Sequence, residues 1–179
     1  MNLSAKTQYV DSSSHERVRL SEDYREFIEF IGNGGAGPYY GVFKLGTMED
    51  PGHDCGSWEG DVGTLAAPFP YSLESIVDGL VVKGPFGYRR RYRNATTPNE
   101  HANADWHTGP IDGALPICHM GCGYFVWLVV SGDEAGHLWY DGRAAEQGFE
   151  PILDKSGSLV AFAKWYEEWL DTSLSEVSN

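Results

Sequence analysis

The chain has 179 residues, of which 41% are hydrophobic and 13% aromatic, so it is long enough for one domain and can bury a core. Its 13 basic residues face 26 acidic ones, which gives a formal net charge of -13. Phosphate groups repel such a surface, so this balance argues against a protein that binds nucleic acid or an anionic membrane. The charge favours a basic partner, or serves only to keep the protein soluble.

The start of the chain does not read as a secretory signal, because residues 1–11 hold one lysine and no apolar run. The longest uninterrupted apolar run, Tyr124 to Val130, is too short to span a bilayer. Cys55, Cys118 and Cys122 cannot close a disulfide framework, since one cysteine is always left over. We therefore expect reduced thiols and a cytoplasmic protein.

Residues 1–17 are predicted to form a poorly ordered lead, followed by a first helix that begins near Ser21, a favoured N-cap residue. Apolar side chains then recur at helical spacing, which predicts one buried stripe. The members of this stripe are Tyr24, Phe27, Ile28 and Ile31. Gly32 and Asn33 are predicted to end the helix.

The stretch GNGGAGPYYG, Gly32 to Gly41, contains the spacing G-x-G-x-x-G that is typical of dinucleotide sites. Such sites need a strand before the glycines and a helix after them. Here the order is reversed, because a helix precedes the glycines and residues 39–46, YYGVFKLG, are predicted to form a strand. We predict that the glycines let the backbone turn sharply and pack closely, and that no nucleotide cofactor binds.

Residues 46–64 are predicted to form an acidic loop that contains no lysine or arginine. Its acidic side chains are Glu49, Asp50, Asp54, Glu59 and Asp61. Trp58 in this loop and Trp106 further along each lie beside acids in a polar stretch, which is typical of an aromatic hot spot for a basic partner. The alternative is that both tryptophans fold back as lids on the core.

A short helix is predicted after Ser72, and residues 89–110 are predicted to form an insertion that opens with the basic patch Arg89–Arg93. Loops of this length are usually functional or mobile. The patch either holds phosphate or RNA, or balances nearby acids and covers apolar surface with its aliphatic stems.

From Gly113 onward the pattern becomes β, with ALPICHM, GYFVWLVV and GHLWYD predicted as strands. The turn SGDEAG joins the last two strands and carries Asp133 and Glu134. Trp127 and Trp139 are predicted to lie in the core. A last helix is predicted from about Ser158, with one apolar face. That face consists of Leu159, Phe162, Ala163, Tyr166 and Leu170.

Cys118, His119 and Cys122 have the right ligand atoms for zinc. Further candidates elsewhere are His53, Asp54, Cys55, His101 and His107. Structural zinc sites usually show paired C-x2-C spacings, whereas this chain has C-x3-C on a predicted buried strand. We predict no metal and no Cys-His nucleophile, because the sequence identifies neither an orienting group nor an oxyanion site.

Three stretches together resemble one known family. Residues 20–46, LSEDYREFIEFIGNGGAGPYYGVFKLG, resemble the opening helix, glycine loop and first strand of the SUKH superfamily. Residues 115–141 resemble its central hairpin, and residues 158–170 its closing helix. The resemblance covers most of residues 18–172. It implies a single α+β domain with a mostly antiparallel sheet of about six strands flanked by helices, interrupted by the insertion and followed by a tail at residues 173–179.

The resemblance also implies a role. The superfamily includes fungal cell-wall-assembly regulators, and many bacterial members resemble immunity proteins that neutralise a toxin, often a nuclease. It offers no catalytic motif, so the expectation is a non-enzymatic domain that occludes a basic toxin with an acidic surface. A regulatory scaffold for a host partner and a metal-dependent enzyme are the alternatives. The residues predicted to bind the partner are Glu49, Asp50, Asp54, Trp58, Glu59, Asp61, Trp106, Asp133 and Glu134.

Overall fold

A computed structural model of the chain describes five ranges: residues 8–10, 17–48, 62–73, 110–145 and 148–177. Within them the fold is α+β, with a four-stranded antiparallel sheet, a separate two-stranded sheet and two helices. The central part of the acidic loop, the helix predicted after Ser72 and nearly all of the insertion lie outside the described residues.

The small sheet lies at the start of the chain. Strand β1 (Gln8–Val10) pairs antiparallel with β2 (Arg17–Arg19), and Tyr9 stands opposite Val18. Val18 is buried in the main core. Four residues of the predicted lead, Gln8–Val10 and Arg17, therefore belong to paired strands, and β2 connects this pair to the core.

The central sheet has the strand order β3-β4-β5-β6, and every neighbouring pair is antiparallel. The strands are β3 (Ala114–Gly121), β4 (Tyr124–Val129), β5 (Leu138–Asp141) and β6 (Phe149–Pro151). The three predicted β stretches are thus confirmed. Strand β6 is not predicted from the sequence, because three residues are too few to show an alternating pattern.

Residues 39–46 do not form the predicted strand. Val42 makes an isolated antiparallel bridge with Cys118 of β3, and no longer ladder follows. Tyr39 (φ 55°) and Gly41 (φ 104°) adopt left-handed conformations, which interrupt an extended strand. The stretch therefore covers the outer edge of β3 only around Val42.

The first helix begins after Ser21 and ends at Gly32 as predicted, but its second half is wider than an α-helix. Helix α1 (Glu22–Glu26) continues as a π-helical turn, Phe27–Ile31, closed by a 3.0 Å bond from the Gly32 N–H to the Phe27 carbonyl. The extra residue in this turn rotates Ile31 away from the core. Phe27 is buried whereas Ile31 is 69% exposed, so the predicted stripe is wrong at its last position.

The last helix, α2 (Phe162–Val177), begins later than the predicted start near Ser158. Asp154 accounts for the delay, because its Oδ1 accepts hydrogen bonds from the backbone N–H of Ser156 (2.8 Å) and of Ser158 (3.0 Å). These bonds hold the preceding residues in a turn. Leu159 consequently precedes the helix. Among the described residues, no helix is long and apolar enough to cross a bilayer.

Side chains cover the central sheet on both faces. Leu128 and Leu138 point toward α1 and α2 and join the larger core. Trp127 and Trp139, their neighbours in sequence, point to the opposite face and pack with Phe69. Successive residues of a strand face opposite sides, so β3, β4 and β5 each contribute to both cores, while β6 adds Phe149 to the second. The predicted burial of both tryptophans is confirmed.

Candidate functional site

The predicted partner-binding residues fall mostly outside the described part of the chain. Those outside are Glu49, Asp50, Asp54, Trp58, Glu59, Asp61 and Trp106. Asp133 and Glu134 are described, and both lie on the turn between β4 and β5. This turn is therefore the part of the predicted surface that the structure describes.

The two acids of the turn differ in exposure. Asp133 is exposed, whereas Glu134 is only 7% exposed. The Glu134 Oε1 accepts a 2.9 Å hydrogen bond from the backbone N–H of Leu73, and its Oε2 lies 3.6 Å from the Nδ1 of His137. Asp133 presents its side chain to solvent, while Glu134 holds Leu73 in place.

The turn is hydrogen-bonded to residues 62–73, which contain the end of the acidic loop and the segment after it. The backbone N–H of Phe69 donates to the Ser131 carbonyl at 2.9 Å. The Ser131 hydroxyl donates to the Ala66 carbonyl at 3.0 Å. Together with the hydrogen bond from Leu73, these contacts join the turn to residues 62–73. Asp133 is therefore held in a fixed position relative to the end of the acidic loop.

The same segment also lies beside the residues that follow the insertion. Val62 forms a parallel bridge with Ile111, and the Gly63 N–H donates to the Ile111 carbonyl at 2.8 Å. The Thr64 N–H donates to Asp112 Oδ1 at 2.7 Å. The last residues of the acidic loop and the residues directly after the insertion are thus hydrogen-bonded to each other.

A pair of tyrosines at the β3 edge was not anticipated from the sequence. Tyr39 and Tyr40 are 42% and 44% exposed. The Tyr40 ring stacks on His119 with centroids 5.3 Å apart, and His119 stacks on Phe125 at 4.9 Å. Partial burial raises the pKa of Tyr39 well above its usual range, so its hydroxyl stays protonated and remains a hydrogen-bond donor.

The backbone at this tyrosine pair is strained. The Gly41 N–H donates to the Pro38 carbonyl at 3.0 Å, which closes a turn with Tyr39 in its second position at φ 55°. Glycine usually occupies a left-handed position of this kind, and a bulky residue there costs roughly 1–3 kcal/mol. Such strain is concentrated at binding sites. The signal in the sequence is PYYG, a turn motif that the strand prediction overlooked.

The cysteines lie in different environments. Cys118 is buried in β3, whereas Cys122 is exposed in the turn after it. In the part of the chain that the structure describes, no group of three or more potential metal-ligating side chains occurs.

A shallow depression of about 200 Å³ lies beside α1. Its lining residues are Leu20, Arg25, Ile28, Glu29 and Leu45. Sites for small molecules usually measure about 300–1,000 Å³. The depression is therefore smaller than a usual small-molecule site.

Comparison of the chain with protein-family models, with curated proteins and with solved structures finds no match.

Proposed function

We propose that this chain is a non-enzymatic, SUKH-like protein-binding domain, acting in the cytoplasm as an immunity protein that neutralises a polymorphic toxin, often a nuclease. The proposal rests on the formal net charge of -13. An active site that binds nucleic acid is basic, so it attracts a strongly acidic protein over long range. The antiparallel sheet with flanking helices is compatible with the fold that the family resemblance implies.

The mechanism is occlusion of the toxin's active site. Charge attraction accelerates the encounter, and aromatic side chains then stabilise the complex by desolvated contact. In this proposal the acids of residues 49–61 meet the basic cleft, Trp58 and Trp106 serve as anchors, and Asp133 contributes from the turn. The bonds that hold the turn to residues 62–73 support this role, because a surface ordered in advance loses less entropy on binding.

The test is to mix the purified chain with the toxin encoded beside its gene and to measure toxin activity and affinity while salt is raised. We expect stoichiometric inhibition, with affinity falling steeply between low and high salt because exposed charges are screened. Reversing three loop acids, Glu49→Lys, Asp54→Lys and Glu59→Lys, should weaken binding by at least about a hundredfold, since like charges would then face a basic cleft.

The control is Glu22→Lys, a charge reversal at an exposed position at the start of α1, which should change affinity only slightly. Association that is absent at low salt, or unchanged by the loop reversals, would refute the occlusion mechanism.

A regulatory scaffold that binds a host protein is the second candidate. The exposed Tyr39–Tyr40 pair favours it, because aromatic side chains at interfaces bind partners of either charge. A scaffold's affinity for its host partner would depend on these tyrosines and little on salt. Its gene would also not adjoin that of a large secreted toxin.

A further inference from the structure

Both helices end in exposed apolar side chains. Phe30 is 78% exposed at the end of the π-helical turn, and Leu174 is 64% exposed in the second half of α2. Isolated exposed apolar residues are common, but contiguous ones mark sites of interaction. We name the following five exposed residues the helix-end patch: Phe30, Ile31, Leu170, Leu174 and Val177.

The two helices run side by side in the same direction toward the patch. Asp23 Oδ2 accepts a 2.9 Å hydrogen bond from the Ala163 N–H, and further along the Phe27 and Tyr166 rings meet with centroids 4.9 Å apart. The contacts advance in the same direction along both helices. The next residues in that direction are Phe30 on one helix and Leu170 on the other.

The second half of α2 has its own apolar face. Leu170, Leu174 and Val177 follow the spacing i, i+4, i+7, which places them on one side of the helix. The buried contacts of α2 come from its first half, through Phe162 and Trp165. All three side chains of this face are exposed.

The helix segments that carry the patch contain charges of one sign, and the bases directly before them, Arg25 and Lys164, pair with Glu22 and Asp154. Residues 26–31 and 165–177 contain no lysine or arginine. Their acids are Glu26, Glu29, Glu167, Glu168, Asp171 and Glu176. The C-terminal end of a helix carries partial negative charge and is stabilised by basic side chains, yet the last turn of α2 has none. Acids at these positions therefore destabilise the helix end, and binding of a cation would offset that effect.

We infer that the helix-end patch docks a basic amphipathic helix of the partner protein. The apolar side of that helix would cover the patch, and its lysine or arginine side chains would meet the flanking acids. A second copy of this chain is a poorer occupant, since it would bring more acids against the same acids. The inference rests on the proposed function only for the statement that the partner is a basic protein.

The probe is a synthetic 18-residue peptide of leucine and lysine, with leucines at i, i+3, i+4 and i+7. Binding to the full chain is followed by calorimetry and by amide shifts in two-dimensional NMR. We expect shifts concentrated at the helix-end patch, affinity that falls with salt, and much weaker binding of two controls. One control has the same composition with leucines spread around the helix, and the other replaces lysine by glutamate.

Substitutions in the chain locate the contact. Leu174→Gln keeps helix propensity and removes an exposed leucine, so it should leave the fold intact and weaken peptide binding by at least about tenfold. Asp171→Lys should weaken binding further at low salt and little at high salt, because it acts through charge. Glu22→Lys, outside the patch, serves as the matched charge control and should bind the peptide almost normally.

Three results would overturn the inference: equal binding of the scrambled peptide, unchanged affinity of the Leu174→Gln variant, or a dimer in analytical ultracentrifugation that this substitution dissociates. The last result would assign the patch to a second copy. The two proposals also fail separately. Toxin inhibition without peptide binding would refute the patch alone, and peptide binding without toxin inhibition would refute the immunity function alone.

Discussion

Asp133 and Glu134 are adjacent acids on one turn, and the fold gives them different roles. Both carry the same charge, so the sequence places both on a predicted binding surface. Burial of Glu134 depends on Leu73, which is 61 residues away in the chain and donates its N–H to the carboxylate. No local pattern contains that information, because the contact arises from how the two segments pack.

The stability of the turn should depend on Glu134. Glu134→Ala removes a carboxylate that accepts the Leu73 N–H, and an unsatisfied amide is left behind, so we expect the free energy of unfolding to fall by about 1–3 kcal/mol. Asp133→Ala is the matched control and should change it by less than about 0.5 kcal/mol. Urea unfolding measures both. Equal losses for the two variants would contradict the structural role of Glu134.

A second residue-scale prediction concerns acid. Hydrogen bonds from the Lys164 ammonium, then from Ser156 and Ser158, hold the pKa of Asp154 well below its usual range. A depressed pKa in the folded state stabilises the protein above the unfolded pKa of about 3.9, and this contribution is lost as pH falls below it. Asp154→Asn should therefore flatten the dependence of unfolding free energy on pH below about pH 4. Asp133→Asn should keep the wild-type slope, and a shared slope for both variants would contradict the prediction.

At the scale of elements, the sequence predicts which apolar residues share one face of a helix or strand better than it predicts whether that face is buried. Alternation correctly identifies β3 to β5, and helical spacing correctly groups Tyr24 with Phe27. Spacing also assigns Ile31 and Leu170 to buried faces, although both lie in the exposed helix-end patch. The π-helical turn explains the error at Ile31, and the end of the core after the first half of α2 explains the error at Leu170. Neither feature changes the local pattern of apolar residues.

The glycine loop illustrates a prediction that the structure confirms. A Cβ added at Gly34 would lie 2.8 Å from the Lys44 nitrogen and 2.9 Å from the Val42 oxygen. These distances are shorter than a real Cβ contact, so the backbones of residues 34 and 42–44 approach as closely as glycine allows. Close packing accounts for glycine at this position.

Substitution of Gly34 and of Gly35 separates the effect of a left-handed backbone from the effect of close backbone packing. Gly34→Ala adds a left-handed alanine (φ 87°) and a backbone clash, whereas Gly35→Ala adds a left-handed alanine (φ 125°) with no atom within 4 Å. Both should destabilise the fold, and Gly34→Ala should cost about 1–3 kcal/mol more because the neighbouring chain must shift. Denaturant unfolding provides the comparison. Equal destabilisation would show that the close approach is not a constraint.

On the scale of the whole molecule, stability resides in a sheet covered on both faces, and the helix-end patch lies outside that core. Leu128→Ala leaves a cavity at a fully buried position and should lower the free energy of unfolding by about 2–5 kcal/mol. Leu174→Ala makes the same chemical change on an exposed helix surface and should shift it by less than about 0.5 kcal/mol. A large loss at Leu174 would show that the patch is part of the core.

The uneven burial of α2 has a consequence for how the chain selects a partner. Its first half is fixed to the sheet by Phe162 and Trp165, while its last turns contribute little to the core. Those last turns can unwind and rewind at a free energy far below that of global unfolding. A ligand therefore binds tightly only if its contacts hold these last turns in the helical conformation. A poorly matched ligand leaves the end of the helix frayed and binds weakly. The chain would then distinguish between partners through an equilibrium between frayed and helical forms of the last turns of α2, while the rest of the domain keeps a single conformation.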